Sequence, residues 1–138
     1  MSKNQHLVLD IGNTQAKYGY FETNVLKDSG VCSDWSLEAW ASFHKKKPFT
    51  TILVGSVGAS TKQILSRLPQ SCDVAFIDDN TKYPFTTAYD DINSLGIDRR
   101  AALSGALITH PSTPVLIIDA GSCITYDFMD AGGHHVGG

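Results

Sequence analysis

Three short segments of the sequence combine a carboxylate with glycine and a small polar or basic side chain, and each could carry chemistry. In chain order they are Asp10-Ile-Gly-Asn-Thr14 with Lys17 three positions on, Gly96-Ile-Asp98-Arg99, and Asp119-Ala-Gly-Ser122 with Thr125 following. Carboxylate oxygens are ligands for hard cations, and glycine lets backbone amides approach a phosphate closely. These segments are therefore the first candidates for a functional site.

The first segment follows an apolar run at residues 6–10 that is typical of a buried strand. In α/β sheets, ligands bind at the carboxyl ends of strands, where Asp10 would lie. Its carboxylate suits Mg²⁺, Gly12 permits a sharp turn, and Lys17 supplies a positive charge. The alternative is a β-hairpin in which the acidic and amide residues serve turn geometry alone.

The segment at Asp119 repeats the pattern of the segment at Asp10, because each is an apolar strand ending in Asp-x-Gly. The two aspartates are 109 positions apart, a period too long for a solenoid and suited to a duplicated domain. Two such turns facing each other would hold a polyphosphate from both sides. Neither GxxxxGK[ST] nor GxGxxG occurs in the sequence, which excludes the Walker and Rossmann phosphate sites.

The segment at residues 96–99 opens a helix and places a carboxylate directly beside a guanidinium. Asp98 could act as a base, and Arg99 could bind a substrate carboxylate with two parallel hydrogen bonds. The alternative is an acidic residue favoured by the helix dipole in the first turn, followed by an exposed arginine. The residues alone do not separate these two interpretations.

Periodicity and breakers predict a mixed α/β fold that positions these segments. The predicted strands are 6–10, 15–22, 25–27, 50–55, 74–77, 115–119 and 123–129, and the predicted helices are 36–46, 61–68 and 96–109. We expect a first domain at residues 1–112 and the start of a second at 113–138. Since a two-stranded hairpin is marginally stable alone, we expect residues 115–138 to pack on the first domain, on another chain or on further sequence. We interpret the chain as truncated.

Composition narrows the class of protein. The chain has 138 residues, 42% of them hydrophobic and 18% charged, and a net charge of −3; no basic excess supports nucleic-acid binding. The apolar runs are too short to span a bilayer, and the first residues lack a signal-peptide core.

The cysteines and histidines do not form a metal or disulfide pattern. The chain has three widely spaced cysteines, which argue against a disulfide framework and against a zinc site, and Cys123 is expected to be buried. The His134-His135 pair lacks a third metal ligand at a useful spacing. A cytoplasmic protein is expected.

Taken together, the three motifs resemble type III pantothenate kinases, also called the Bvg accessory factor family, in order and spacing. The resemblance covers essentially the whole chain and about the first half of a family member. It implies an RNase H-like fold of the sugar kinase, Hsp70 and actin superfamily, whose two domains close around ATP. The implied activity is ATP-dependent phosphorylation of pantothenate, the first step of coenzyme A synthesis.

The resemblance also implies roles for individual residues. Asp98 would accept the proton of the pantothenate hydroxyl, Asp119 would hold a monovalent cation (K⁺ or NH₄⁺), and Asp10 would hold Mg²⁺ with ATP. The implied ATP-phosphate residues are Asp10, Ile11, Gly12, Asn13, Thr14, Gln15, Ala16, Lys17 and Ser122, where the family usually has Thr at the last position. The implied pantothenate residues are Tyr89, Gly96, Ile97, Asp98 and Arg99.

Two alternatives to the kinase stay open on the sequence. One is a non-catalytic regulatory or binding relative of the transcriptional accessory-factor type, which would have no chemical need for the three aspartates. The other is a different small-molecule kinase of the superfamily, such as a sugar kinase. The resemblance further implies a homodimer with its active site completed across the subunit interface. Because the family's adenosine-binding half is missing, we expect the chain alone to have little or no kinase activity.

Overall fold

The computed structural model describes residues 4–34, 36–57, 60–121 and 123–138. The chain divides into two compact units, Met1–Asp78 and Asp79–Gly138. Ser122, one of the expected phosphate-binding residues, lies outside the described part. In the segments that are described, none of the helices has both the length and the apolar composition needed to cross a membrane.

The first unit is a five-stranded mixed sheet with two helices. Its elements are β1 (Gln5–Ile11), β2 (Ala16–Glu22), β3 (Val25–Cys32), α1 (Leu37–Lys46), β4 (Thr51–Ser56), α2 (Thr61–Leu65) and β5 (Asp73–Phe76). The strand order is β3-β2-β1-β4-β5, antiparallel from β1 to β3 and parallel from β1 through β4 to β5. The predicted strands and helices of this unit are confirmed in type and order, with β3 longer than expected and α2 ending at Leu65 instead of residue 68.

One face of this sheet forms the core of the first unit. Leu7 and Leu9 of β1 are fully buried beside Ile52 and Val54 of β4, as the alternation of side chains along a strand requires. Trp40 of α1 belongs to the same cluster. These contacts fix β1, and with it the turn that follows the strand.

The second unit contains a four-stranded sheet and one long helix. Its elements are β6 (Thr86–Thr87), a 3₁₀ turn (Ile92–Ser94), α3 (Ile97–Thr109), β7 (Val115–Ala120), β8 (Ile124–Met129) and β9 (His134–Gly137). The strand order is β6-β9-β8-β7. Strands β7, β8 and β9 are antiparallel neighbours, and β6 runs parallel to β9. β6 and β9 were not among the predicted strands.

Helix α3 packs on β7 and β8, so residues 115–138 share a core with the residues that precede them. Leu103 of α3 and Met129 of β8 are both fully buried in it, together with Leu95. The compact units therefore divide between 78 and 79, earlier in the chain than the domain boundary expected at 112/113. That boundary stays a prediction.

The other face of the second sheet is apolar and exposed. Its large exposed side chains are Leu116, Ile118, Ile124, Tyr126, Phe128 and Val136. Contiguous apolar surface of this kind marks an interaction site or a tendency to aggregate. The expectation that residues 115–138 need a packing partner is met by α3.

The cysteines differ in exposure, and the expectation of a buried Cys123 was wrong: this residue is exposed because it precedes β8, whose first residue is Ile124. Burial instead raises the pKa of the Cys32 thiol from 9.0 to about 11.

These exposures predict an order of alkylation. Because the thiolate is the nucleophile, Cys32 should react with iodoacetamide about 100-fold more slowly than a thiol of pKa 9.0. Cys123 should be labelled first. Peptide mass spectrometry over a time course near neutral pH measures both rates, and labelling of Cys32 as fast as Cys123 would contradict the burial described.

Candidate functional site

The first candidate segment forms the turn between β1 and β2. Asp10 lies directly opposite Lys17 in the antiparallel register, so the carboxylate and the ammonium group project from the same face of the sheet with Cβ atoms about 5 Å apart. Gly12 N donates a hydrogen bond to Gln15 O at 3.1 Å and closes the turn. A cation and an anion are thus placed side by side on an exposed strand end.

The rest of the turn separates into core and surface residues. Ile11 and Ala16 are paired across the two strands, and both are buried, so only their backbone groups could face a ligand. Asn13, Thr14 and Gln15 are exposed. The turn therefore presents short polar side chains to solvent on a rigid base.

The donor set at Asp10 fits Mg²⁺ bound together with a phosphate. Mg²⁺ is usually held by one or two carboxylates plus phosphate oxygens and water, not by a cage of protein ligands. Asp10 is exposed at the strand end and can meet such a complex from the protein side. Lys17 beside it can neutralise a further phosphate oxygen.

The second candidate segment forms the beginning of α3. Gly96 is the N-cap residue and makes no side-chain capping bond. Asp98 lies in the first turn, is exposed, and accepts a hydrogen bond from Arg99 N at 2.8 Å. An exposed carboxylate at this position can accept a hydrogen bond from the hydroxyl of a bound ligand.

Gly96 leaves the space that the Asp98 carboxylate occupies. A Cβ at position 96 would lie 2.6 Å from Asp98 Oδ1, so any larger residue displaces that oxygen. We predict that Gly96→Ala moves the Asp98 side chain to another rotamer and, if Asp98 is the base that the sequence predicts, lowers turnover at least 10-fold, since catalysis depends on the position of such a group. Gly105 on the same helix has open space around its position, and Gly105→Ala is the matched control.

The measurement is kcat of both variants, each joined to the remaining part of a full-length relative as described under Proposed function, beside their melting temperatures. Retained folding with lost turnover for Gly96→Ala, and unchanged turnover for Gly105→Ala, is the expected pattern. Equal activity of both variants would show that the Asp98 rotamer does not matter.

The structure does not agree with the alternative in which Arg99 is simply an exposed arginine that follows an acidic residue in the first turn of the helix. Its Nε and Nη2 donate to the two carboxylate oxygens of Asp127 in β8, at 2.9 and 2.6 Å. The Asp127 side chain is 2% exposed, whereas that of Arg99 is 19% exposed. These hydrogen bonds raise the pKa of the Arg99 guanidinium above its usual value, and the Tyr89 hydroxyl adds to the shift.

Three further side chains, one buried and two half-buried, complete the network around Asp127. His135 of β9 is fully buried, and its Nε2 lies 2.8 Å from Asp127 Oδ1, without the alignment of a hydrogen bond. Its Nδ1 shares a hydrogen bond with Thr87 Oγ1 at 2.9 Å. The ring of Tyr89 packs on the His135 ring with centroids 5.2 Å apart. The expected pantothenate residues Tyr89 and Arg99 are thus connected through His135 and Asp127.

The third candidate segment lies at the end of β7. Asp119 is exposed and lies opposite Thr125 of β8. Because Ile117 pairs with Asp127 in the same register, Asp119 and Asp127 project from one face of the sheet. Gly121 N donates to Cys123 O at 3.0 Å and closes the turn. One carboxylate with a neighbouring hydroxyl is a donor set that fits a monovalent cation.

The candidate cation positions each offer a single carboxylate. Within the ranges that the structure covers, no group of three or more His, Cys, Asp or Glu side chains is placed to hold a metal ion. Any cation at Asp10 or Asp119 would therefore take further oxygen ligands from the backbone, water or a phosphate.

The sequence missed Asp127, His135 and Thr87 as members of the site. For His135, the sequence offers only a comparison with metal ligands. The local pattern points away from Asp127, because an apolar face carrying Tyr126 and Phe128 would be expected to be buried and would leave the aspartate on the solvent side. The observed burial of Asp127 is possible because Arg99 pairs with its carboxylate.

The chain is similar to proteins of one family. The family model described as type III pantothenate kinase matches residues 6–138. Among curated proteins, the type III pantothenate kinase of Phocaeicola vulgatus is 35% identical, covering 96% of this chain and 55% of that protein. Those of Bacteroides fragilis and Flavobacterium psychrophilum are 33% and 31% identical, covering 96% of this chain and 55% and 56% of theirs. The chain thus spans about half the length of the curated relatives it matches.

Proposed function

We propose, since the chain belongs to the type III pantothenate kinase family, that it supplies the phosphate-binding and pantothenate-binding residues of such a kinase. The proposed reaction transfers the γ-phosphate of ATP to the hydroxyl of pantothenate and gives 4′-phosphopantothenate and ADP. The observation that carries the proposal is the exposed Asp98 carboxylate beside Arg99, whose guanidinium is fixed by Asp127. A base and a carboxylate-binding group thereby lie next to each other on one helix.

In this proposal, the residues at the start of α3 bind and orient pantothenate. Arg99 binds its carboxylate, and Tyr89, Gly96 and Ile97 line the site. Asp98 accepts a hydrogen bond from the substrate hydroxyl, which orients the attacking oxygen, and takes up the proton late in the reaction. Phosphoryl transfer requires mainly positioning and charge stabilisation, so the main task of Asp98 in this proposal is to orient the attacking oxygen.

The turn between β1 and β2 binds the ATP phosphates in the same proposal. Bound Mg²⁺ would neutralise developing charge on the transferred phosphoryl group, with Asp10 as its protein ligand. Residues 11–16 offer backbone amides and short polar side chains, and Lys17 offers a positive charge. Ser122 is a further proposed phosphate contact, and Asp119 the proposed ligand of K⁺ or NH₄⁺.

The finer architecture is also part of the proposal. We infer that the first unit is part of an RNase H-like domain at residues 1–112; the strand order β3-β2-β1-β4-β5, with antiparallel and then parallel pairing, supports this inference. The division into domains at 1–112 and 113–138, a cytoplasmic location and a homodimer are proposed from the family. Nucleic acid and membranes are not among the proposed partners.

A residue-resolved binding experiment on the chain tests these assignments. In a ¹⁵N NMR titration, pantothenate should shift the resonances of Tyr89 and residues 96–99, whereas MgATP should shift those of residues 10–17. Glucose serves as the control ligand for a sugar kinase. Shifts from glucose at 96–99, or pantothenate shifts confined to other residues, would count against the proposal.

Catalytic turnover requires a larger part of the protein than the binding of pantothenate or MgATP requires. Because the chain spans 55% of the Bacteroides fragilis relative, we expect no measurable turnover from the chain alone. Activity is measured on a hybrid, termed here the completed kinase, in which the chain is joined to the remaining part of that relative. Family-like turnover by the chain alone would contradict this expectation.

A further inference from the structure

We propose that Asp127 is the positioning residue for substrate recognition, holding Arg99 and, through His135, Tyr89 in the orientation that binds the carboxylate of pantothenate. The inference rests on the proposed function and extends it to residues of the sheet that do not themselves touch substrate. It concerns the second unit only. The residues that carry it are fixed by short polar contacts and by burial.

The first step is that Asp127 fixes the plane of the Arg99 guanidinium. Two parallel hydrogen bonds to one carboxylate constrain the orientation of a planar guanidinium group far more than a single hydrogen bond does. A free arginine side chain samples many rotamers and loses that freedom on binding a ligand. With Nε and Nη2 bonded to Asp127 and the side chain still 19% exposed, Arg99 presents its exposed part to an anion without that entropic cost.

One oxygen of Asp127 contacts Arg99 directly and is linked to Tyr89 through His135. Oδ1 accepts the hydrogen bond from Arg99 Nη2 at 2.6 Å and lies 2.8 Å from His135 Nε2. His135 in turn packs on the Tyr89 ring and bonds Thr87 through Nδ1. A change at this oxygen therefore reaches both side chains.

The chain provides a matched control for this network. Thr86 Oγ1 and His134 Nδ1 form the same kind of hydrogen bond at 2.8 Å, one position along the same pair of strands. That pair is exposed, and successive side chains point to opposite faces. His134→Ala therefore alters an equivalent pair on the opposite face from Asp127.

The expected result concerns the carboxylate of the substrate. Asp127→Asn keeps the shape of the side chain but removes its charge, and we expect pantothenate to bind about 10- to 100-fold more weakly, the range for losing one charge-assisted contact. Pantothenyl alcohol, which has a hydroxyl in place of the carboxylate, should bind the wild-type chain and the variant equally. His134→Ala should leave both affinities unchanged.

A second readout does not depend on substrate. The Arg99 Nε–H resonance should exchange slowly with solvent in the wild-type chain, and rapidly in Asp127→Asn because its acceptor is weakened. If Asp127→Asn does not fold, as judged by circular dichroism, Thr87→Val replaces it, with an expected loss of pantothenate affinity of about threefold. Both ligands are titrated by NMR under the same conditions.

The outcomes separate the two proposals. A loss of affinity for pantothenate alone, with faster Nε–H exchange, supports the positioning role. Equal losses for both ligands, or none, or unchanged exchange, would overturn it. If the wild-type chain binds neither ligand, the proposed function fails, and the exchange measurement alone then decides whether Asp127 positions Arg99.

Discussion

Replacement of Asp98 by Asn is expected to lower kcat of the completed kinase by a factor of about 10²–10⁴, the usual contribution of a general base. Asparagine preserves the size of the side chain but cannot take up the proton of the attacking hydroxyl. Since Asp98 is exposed, folding should be unaffected, and the KM for pantothenate should change by less than about threefold. Steady-state kinetics with a coupled assay for ADP give both constants.

Asp79→Asn is the matched control, because Asp79 is an exposed aspartate of the second unit outside the proposed site. Its kcat should equal that of the unsubstituted protein. Full activity of Asp98→Asn would remove Asp98 from the mechanism. An inactive unsubstituted protein that is nevertheless folded and binds pantothenate would favour the non-catalytic, regulatory alternative.

Replacement of Arg99 by Leu is expected to destabilise the second unit by about 3–5 kcal/mol, the cost of leaving a buried carboxylate without its partner. Asp127 is 2% exposed, so water cannot replace the lost hydrogen bonds. Replacing both residues by leucine should recover much of the loss, because an apolar pair of similar size avoids the unpaired charge.

Hydrogen exchange of the amides in α3 and β8 measures this effect, since it reports the second unit separately from the first. Arg67→Leu, a substitution of an exposed arginine of the first unit, should change stability by less than about 0.5 kcal/mol. A stability loss for Arg99→Leu no larger than that control would mean that the pair with Asp127 contributes little to the fold.

Local sequence patterns predicted most of the helices and strands, because the residues that specify each element lie within a few positions of one another. The apolar alternation of β1 and the breaker Gly12 place both the strand and its turn, and Pro48 marks the end of α1. The extent of β3 was underestimated because it is an edge strand with largely exposed residues, so its sequence lacks the apolar alternation of a half-buried strand.

The network around Asp127 could not be predicted from spacing. Arg99 and Asp127 are 28 positions apart, and their contact depends on α3 packing against β8. Thr87 and His135 meet only because β6, a two-residue strand, pairs with β9. Neither short strand carries a periodic signal of its own. The acidic turn at Asp10 could be predicted from the sequence, because the groups proposed to bind phosphate there are adjacent along the chain.

The most direct test is to identify the product that the completed kinase makes from ATP and pantothenate. Phosphorus NMR and mass spectrometry of the reaction should show one phosphate on the 4′-hydroxyl of pantothenate, formed together with an equal amount of ADP and absent when pantothenate or Mg²⁺ is omitted. A folded, ATP-binding completed kinase that forms no phosphopantothenate, or that phosphorylates glucose instead, would contradict the account.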